Sequence, residues 1–159
     1  MATKFGANTV IKVVGGEVEF RFADPNVEEY KRGLAHYRTA AKDFTEVFSD
    51  FGPYLLRSID RNFQVQGRPR AWQNLAPSTI RQRERLGFGS GPILVRTGAL
   101  KSGFSYTYRK QSFRVVNSQF YYAIHQKGGP VIPRRQMVVL TDEDKSAFTR
   151  LARKHMRFN

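Results

Sequence analysis

The sequence predicts an α+β fold, in which an antiparallel sheet packs against a long kinked helix and a C-terminal helix. Short runs of β-branched and aromatic residues near the N-terminus and between residues 104 and 124 predict the strands, because turn residues separate them. Apolar residues at helical spacing between residues 26 and 63, and again after residue 141, predict the helices. Strands and helices in separate blocks are typical of α+β domains. Long loops and an N-terminal β-hairpin complete the predicted architecture.

The N-terminal hairpin is predicted from two strand-like runs, Thr9–Val14 and Glu17–Phe22, that flank a pair of glycines. Two successive glycines accept the positive φ angles that a tight hairpin turn needs. We therefore expect residues 1–23 to form a hairpin arm. Residues 24–159 then form the main α+β domain, which is long enough for one hydrophobic core.

The dipeptide Asp24-Pro25 marks the start of the first helix, since aspartate is a favoured N-cap and proline a favoured first helical residue. The spacing of apolar residues predicts helix over residues 26–63, with one face packed against the sheet. Gly52-Pro53 interrupts this pattern, so we expect two segments with a kink there. The acidic run at Thr141–Asp144 predicts the N-terminus of the C-terminal helix.

The predicted sheet follows residue 103. Its strands are expected at Phe104–Tyr108, Phe113–Val116 and Tyr121–Ile124, with turn residues between them. A meander is the simplest arrangement of three such strands. Met137–Leu140 is predicted to form a short final strand.

Residues 66–94 form a long basic loop that is rich in glycine, proline and arginine. A connection of this length inside a compact domain is usually functional. Pro77 can begin a short helix that extends to about Arg85. Trp72, the only tryptophan, is expected to anchor the loop to the core because large aromatic rings usually pack inward. After the loop, Thr97 is placed to cap a single helical turn.

Charge is distributed unevenly along the chain. Residues 1–60 contain 8 basic and 9 acidic residues, a balance of −1, whereas residues 61–159 contain the other 19 basic and 4 acidic residues, a balance of +15. Such a cationic half attracts nucleic acid or an acidic protein surface, and charge alone favours neither. Cysteine is absent, which excludes disulfides and thiolate metal sites. No apolar run reaches the roughly 20 residues of a membrane-spanning helix, so no membrane partner is expected.

No constellation of residues indicates catalysis, so we expect a protein that is not an enzyme and needs no cofactor or metal. The histidines His36, His125 and His155 are far apart in sequence and have no cysteine partners for zinc. An enzyme that uses His125 as a general base, with a distant carboxylate such as Asp142, is the least favoured interpretation. A structural His125, hydrogen-bonded to the backbone of the following turn, is favoured. The segment Gly98–Ser102 lacks the residue order of a phosphate-binding loop.

Three short motifs follow one another, and a proline-arginine-arginine sequence and an acidic-capped helix come after them. The motifs are Trp72-x-x-Leu75-x-x-x-Thr79, Leu94-x-x-Thr97-Gly98-x-Leu100 and Tyr122-Ala123-x-His125-Gln126-x-Gly128, before Pro133-Arg134-Arg135. In this order they resemble the phage virion morphogenesis, or tail completion, family of Mu-like and P2-like tailed bacteriophages. The resemblance covers about residues 45–155.

The resemblance implies a structural protein at the head–tail junction or tail end of the virion, which completes or terminates the tail or joins it to the head. Such proteins are expected to assemble in the host cytoplasm into rings, commonly of six subunits. The expected partners are other copies of the chain and neighbouring neck or tail-tube proteins, together with non-specific contact to phage DNA in the ring lumen. The alternative function is a basic nucleic-acid-binding module.

The residues expected to contact subunits or partners are the arginines of the basic loop and the residues after the third strand. Charge-assisted hydrogen bonds from Arg134 and Arg135 to carboxylates of a neighbouring ring are the most specific of these expectations. The full set is Arg68, Arg70, Arg81, Arg83, Arg85, His125, Gln126, Arg134 and Arg135.

Overall fold

The structure is a computed structural model that describes the backbone of residues 3–4, 9–14, 17–22 and 27–157, and the side chains of residues 28–29 and 31–157. The chain divides into two compact units. One contains residues 42–155, and the other contains residues 1–41 together with residues 156–159. The division expected at residue 23, between a hairpin arm and the main domain, stays a prediction.

In its described residues, the smaller unit contains three antiparallel strands and one helix. Its elements are β1 (Thr3–Lys4), β2 (Thr9–Val14), β3 (Glu17–Phe22) and α1 (Val27–Ala40). The strands β2 and β3 have the predicted bounds and pair along their whole length, with Val13 opposite Val18. The glycine turn predicted between them lies outside the described residues.

The helix α2 (Thr45–Gln64) is the central element of the larger unit, and it corrects one prediction. The helical region does fall into two segments, but the break lies at residues 41–44, not at Gly52-Pro53. Asp43 lies just before α2, and its Oδ1 accepts a hydrogen bond from the Thr45 amide at 3.0 Å, whereas the N-cap residue Phe44 makes no side-chain capping bond. The sequence contains a local signal here, because an aspartate side chain can bond the amide two residues further on and so form a turn.

Gly52 is a close-packing position and not a hinge. The Tyr106 ring lies so close that a Cβ on Gly52 would be 2.3 Å from two of its carbon atoms. Pro53 is exposed inside the helix. A proline in a helix interior costs about 3 kcal/mol, whereas each large apolar side chain that becomes buried contributes about 1.5–3 kcal/mol. Because Phe51, Leu55 and Ile59 are buried on one face of α2, packing outweighs the cost of Pro53.

The sheet of the larger unit is a single hairpin of β4 (Phe104–Arg109) and β5 (Ser112–Asn117). The third predicted strand is wrong, because Tyr122–Lys127 forms the helix α5. Four apolar residues are too few to distinguish a strand from a helix by periodicity. Gly128, at a φ of 82°, ends α5 with its amide bonded to the Ile124 carbonyl oxygen at 2.8 Å.

The remaining helices were predicted correctly. They are α3 (Pro77–Arg85), α4 (Ala99–Ser102) and α6 (Asp142–His155). The prediction of Thr97 as the cap of α4 is wrong, because the N-cap residue is Gly98; Thr97 lies one residue earlier, and its Oγ1 accepts a hydrogen bond from the Ala99 amide at 3.4 Å. At the start of α6, the Asp144 carboxylate accepts hydrogen bonds from the amide and the hydroxyl of Thr141, both at 2.8 Å.

The core of the larger unit lies between α2, the β4–β5 hairpin and α6. Phe113 of β5 contacts both Phe48 and Phe51 of α2, with ring centroids 5.6 and 5.7 Å apart, and Phe148 of α6 lies 5.2 Å from Phe51. Trp72 anchors the basic loop to this core as predicted, edge-on to Phe63 at 5.4 Å. The buried core residues are Phe51, Leu55, Ile59, Phe63, Trp72, Ile93, Leu100 and Met137.

Candidate functional site

The segment Arg135–Val138 passes through the interior of the larger unit, where side chains bond its backbone. The prediction of a strand at Met137–Leu140 is therefore wrong. The Gln126 side chain takes the place of a neighbouring strand: its Oε1 accepts from the amides of Met137 at 2.8 Å and Val138 at 3.1 Å, and its Nε2 donates to the Val138 carbonyl oxygen at 2.8 Å. One glutamine side chain thus satisfies three main-chain groups next to a fully buried methionine.

Two further side chains hold the same segment from different elements. Asn62 of α2 donates through Nδ2 to the carbonyl oxygens of Gln136 at 2.9 Å and Met137 at 2.8 Å. The indole N–H of Trp72 donates to the Gln136 carbonyl oxygen at 3.0 Å. Because buried main-chain groups must be paired, these bonds replace the ladder that a strand would have supplied.

Arg135 is a buried residue of this segment, with 6% of its surface exposed. Its guanidinium donates to the carbonyl oxygen of Gln73 from Nε at 3.1 Å and from Nη2 at 3.0 Å, and to that of Asn74 at 3.2 Å. Burial lowers the pKa of the guanidinium below its ordinary value, but arginine stays cationic in proteins. Arg135 therefore joins the basic loop to α5 by internal bonds.

His125 does not make the hydrogen bond that was predicted for its imidazole. Its main-chain carbonyl oxygen accepts from the Arg135 amide at 2.8 Å, whereas Nδ1 is buried without a hydrogen-bond partner in the described part of the chain. Burial, and then the charge of Arg135, lower the pKa of His125 below its ordinary 6.5, so the ring is neutral at physiological pH. No hydrogen bond joins His125 to Asp142 within residues 31–157, where the Asp142 carboxylate instead accepts from Lys145 Nζ at 2.9 Å.

A groove of about 900 Å³ lies between α3, the segment before α4, and the segment after α5. Its lining is mostly apolar, but Arg83, Arg96 and Arg135 also contribute, together with His125. No aspartate or glutamate is among the lining residues. The apolar part of the lining is formed by Leu75, Pro77, Leu86, Leu94, Leu100, Tyr121, Val131, Ile132 and Pro133.

The model of the phage virion morphogenesis family matches residues 26–157. The chain belongs to this family. The resemblance stated from the motifs is thereby confirmed, and the match extends further toward the N-terminus than the motifs do. Searches of curated proteins and of solved structures each found no significant match.

In this virion morphogenesis protein the three family-like motifs meet at the groove. Leu75 and Thr79 of the first motif, Thr97 and Leu100 of the second, and His125 of the third all line it. The sequence order alone gave no reason to expect one shared surface, since Thr79 of the first motif and His125 of the third are 46 positions apart.

The predicted contact residues separate into a group whose side chains are bonded to other parts of the chain and an exposed group. Arg83 is 5% exposed and donates through Nη1 to the Pro92 carbonyl oxygen at 3.2 Å, and Arg68 is bonded to the Ser58 carbonyl and hydroxyl oxygens. With Gln126 and Arg135, these side chains hold the virion morphogenesis fold together. The exposed members of the set are Arg70, Arg81, Arg85 and Arg134.

Sequence reasoning missed two residues, Arg96 at the groove and Asn62 at the buried Arg135–Val138 segment. Arg96 is exposed at the groove, and its guanidinium carbon lies 5.4 Å from the centre of the Phe88 ring. Its place inside the second motif could have identified it. No sequence pattern identified Asn62, because it is a single polar residue within an apolar helix face.

Within residues 28–29 and 31–157, no group of three His, Cys, Asp or Glu residues is placed to hold a metal ion. No helix in the described part of the chain is both long and apolar enough to cross a membrane.

Proposed function

We propose that this virion morphogenesis protein completes or terminates the phage tail, or joins the tail to the head, as a ring at the neck. Its role is structural and not enzymatic. The proposal rests on the family membership and on the meeting of all three motifs at one groove. A groove with cationic and apolar lining is suited to binding another protein, because apolar contact supplies affinity and the charges supply orientation.

The buried arginines support a binding role over a catalytic one. Arg83 and Arg135 are fixed by carbonyl oxygens, and the nearby His125 is neutral, without a carboxylate or nucleophile bonded to it in the described residues. A general base needs a partner within hydrogen-bond reach of the proton that it moves. The surface therefore offers shape and charge rather than a proton-transfer pair.

The proposal is tested by growing phage in which the gene carries an early stop codon. We expect cells to accumulate DNA-filled heads and separate tails, visible by negative-stain electron microscopy, with tails that are irregular in length or lack their head-proximal end. Supplying the intact protein in trans should restore joined virions. Normal virions in its absence would contradict the proposal.

A second candidate function, contact with phage DNA, is favoured by one specific observation. Arg57, Arg61 and Arg68 line a small cavity of about 120 Å³ together with Tyr54, and the single carboxylate there, Glu143, lies 3.7 Å from Arg61. Convergent arginines are the usual means of binding a phosphate group.

This candidate predicts binding to duplex DNA that weakens steeply between 50 and 200 mM salt. Substituting Arg57 with alanine should reduce the slope of log affinity against log salt by about 1, whereas the same change at the exposed Arg109 should not. A slope that is unchanged by Arg57→Ala, or no mobility shift at low salt, would dismiss this candidate.

A further inference from the structure

The groove contains positive charge that the chain itself does not neutralise. None of Arg83, Arg96 and Arg135 has a carboxylate within 4.0 Å among the described residues, where the ion pairs all involve other residues. Arg83 is more than nine-tenths buried, and its Nε has no hydrogen-bond partner in that part of the chain. Charge in a partly apolar site is stabilised best by a carboxylate that is desolvated with it.

Apolar side chains at the groove are exposed to solvent. Val131 is 91% exposed and Leu86, directly after α3, is 55% exposed, although both line the groove. Exposed apolar side chains at the edge of a concave, polar-rimmed surface are typical of a contact site for another protein. The groove is thus suited to a segment that presents one large apolar side chain beside carboxylates.

The same chain carries such a segment where the Arg135–Val138 segment leads into α6. Leu140 is half exposed, and the side chains of Asp142 and Glu143 are 98% and 66% exposed. Their present partners are Lys145 at 2.9 Å and Arg61 at 3.7 Å, both themselves exposed. Exposed ion pairs contribute little, so these carboxylates can take a new partner at small cost.

We infer that the groove of one copy of this protein receives the Leu140–Glu143 corner of a second copy. Leu140 contacts Leu86 and Val131 of the neighbouring copy. The carboxylates of Asp142 and Glu143 bind the arginines that line its groove, among which Arg96 is the accessible donor. The inference rests on the proposed ring, and it names the two surfaces that meet. Because the groove and the corner are different surfaces, the contact is head-to-tail, which is the kind that builds cyclic rings or open filaments.

The first test exchanges the charges of the two surfaces in the full-length protein. Arg96→Glu and Glu143→Lys each place like charges together in every contact, so each variant alone should lose self-association at least tenfold in sedimentation velocity. Mixing the two variants should restore it. Each groove then meets a corner of opposite charge, in an alternating assembly. The double variant in one chain should also associate as the wild type does.

The second test uses the absence of cysteine from the chain. Val131→Cys in one preparation and Leu140→Cys in another should cross-link with each other through a short bismaleimide, giving a dimer that neither preparation forms alone. Gln111→Cys, at an exposed position between β4 and β5, is the matched control and should not cross-link to Val131→Cys. Circular dichroism of every variant establishes that folding is intact.

Three results would overturn the inference. They are a wild-type protein that stays monomeric up to 100 μM, charge variants that associate normally, and a mixture that does not recover association. A change in DNA binding by Arg96→Glu without a change in mass would assign the groove to nucleic acid instead. Tail assembly in infected cells separates the two proposals, because normal virions made with Arg96→Glu refute only the contact, whereas normal virions made without the protein refute the ring function.

Discussion

Gln126 is expected to be one of the most important polar residues for stability, although it contacts no ligand. Replacing it with methionine keeps the length of the side chain and removes its hydrogen bonds to Met137 and Val138. Those are two bonds accepted by Oε1 and one donated by Nε2, all between 2.8 and 3.1 Å. Met137 is fully buried, so its amide has no access to solvent as a replacement partner.

The size of the effect follows from these bonds. A hydrogen bond makes a net contribution of about 1 kcal/mol to stability, and an amide left buried without a partner costs about 1–3 kcal/mol. Two of the bonds at about 1 kcal/mol each, and the Met137 amide at about 1–3 kcal/mol, give a loss of about 3–5 kcal/mol in the free energy of unfolding. A typical domain has only about 5–15 kcal/mol in total. At about 2–4 °C per kcal/mol for a chain of this size, we expect the melting temperature to fall by roughly 10 °C.

The assay can use the chain's only tryptophan. Trp72 is buried and its indole N–H is bonded to Gln136, one residue from the segment that Gln126 holds. Urea unfolding followed by tryptophan fluorescence therefore reports on the affected region. Gln126→Met should lower the urea midpoint strongly, whereas Gln111→Met, at an exposed turn position, should leave it within about 0.5 kcal/mol.

Gln126→Glu provides a sharper control than methionine. One oxygen of the introduced carboxylate can still accept from the two amides. The other oxygen replaces Nε2, which in the wild type donates to the Val138 carbonyl oxygen, so two acceptors face each other. Protonation would turn that oxygen into a donor, so the deficit relative to the wild type should shrink as pH falls toward 4. A loss below about 1 kcal/mol in Gln126→Met, or a deficit in Gln126→Glu that does not depend on pH, would refute this account of the segment.

Other substitutions test the packing, the titration and the cap. Gly52→Ala places a methyl group 2.3 Å from the Tyr106 ring and should cost about 2 kcal/mol in urea unfolding; a stability equal to that of the wild type would contradict the packing. The pKa of His125 is lowered by burial and by Arg135, so the unfolded chain binds the proton first and stability falls as pH drops below about 6.5. His125→Gln should flatten urea midpoints between pH 5 and 6.5, and an unchanged slope there would argue against the shift. Asp144→Ala removes the cap of α6 and should cost about 1–2 kcal/mol by thermal unfolding, and a change under 0.5 kcal/mol would show that the cap is dispensable.

Elements with signals inside their own sequence could be predicted. Pro77 begins α3, Thr141 and Asp144 bond each other at the start of α6, and the aromatic and β-branched runs at Phe104–Tyr108 and Phe113–Val116 predict β4 and β5. In each case the residues that decide the structure lie within a few positions of it. The hydrogen bond from the Thr45 amide to Asp43, at the break between α1 and α2, is local in the same way.

Elements whose partners are remote in sequence could not be predicted. Met137–Leu140 has the composition of a strand, but its neighbours are the amide of Asn62, 75 residues away, and that of Gln126. A strand needs an adjacent strand, and no local pattern shows that side chains take that place. The prediction of a kink at Gly52-Pro53 was wrong for the same reason, because the contact that explains Gly52 comes from Tyr106 on the β4–β5 hairpin.

The arginines show why a candidate site could be located in the sequence but not resolved into roles. Arg83 and Arg96 are the same residue type and lie 13 positions apart in the sequence. Arg83 is nevertheless bonded to a backbone carbonyl oxygen in the interior, whereas Arg96 is exposed at the groove. Removing a buried, bonded arginine leaves its partners unpaired and lowers stability, whatever the residue does in an assembly. Substitutions at Arg83 or Arg135 therefore measure folding first. Since Arg96 has no hydrogen bond to lose in the described residues, its substitution changes the charge of the groove with the fold intact, which makes Arg96 the position where a binding role can be distinguished from a structural one.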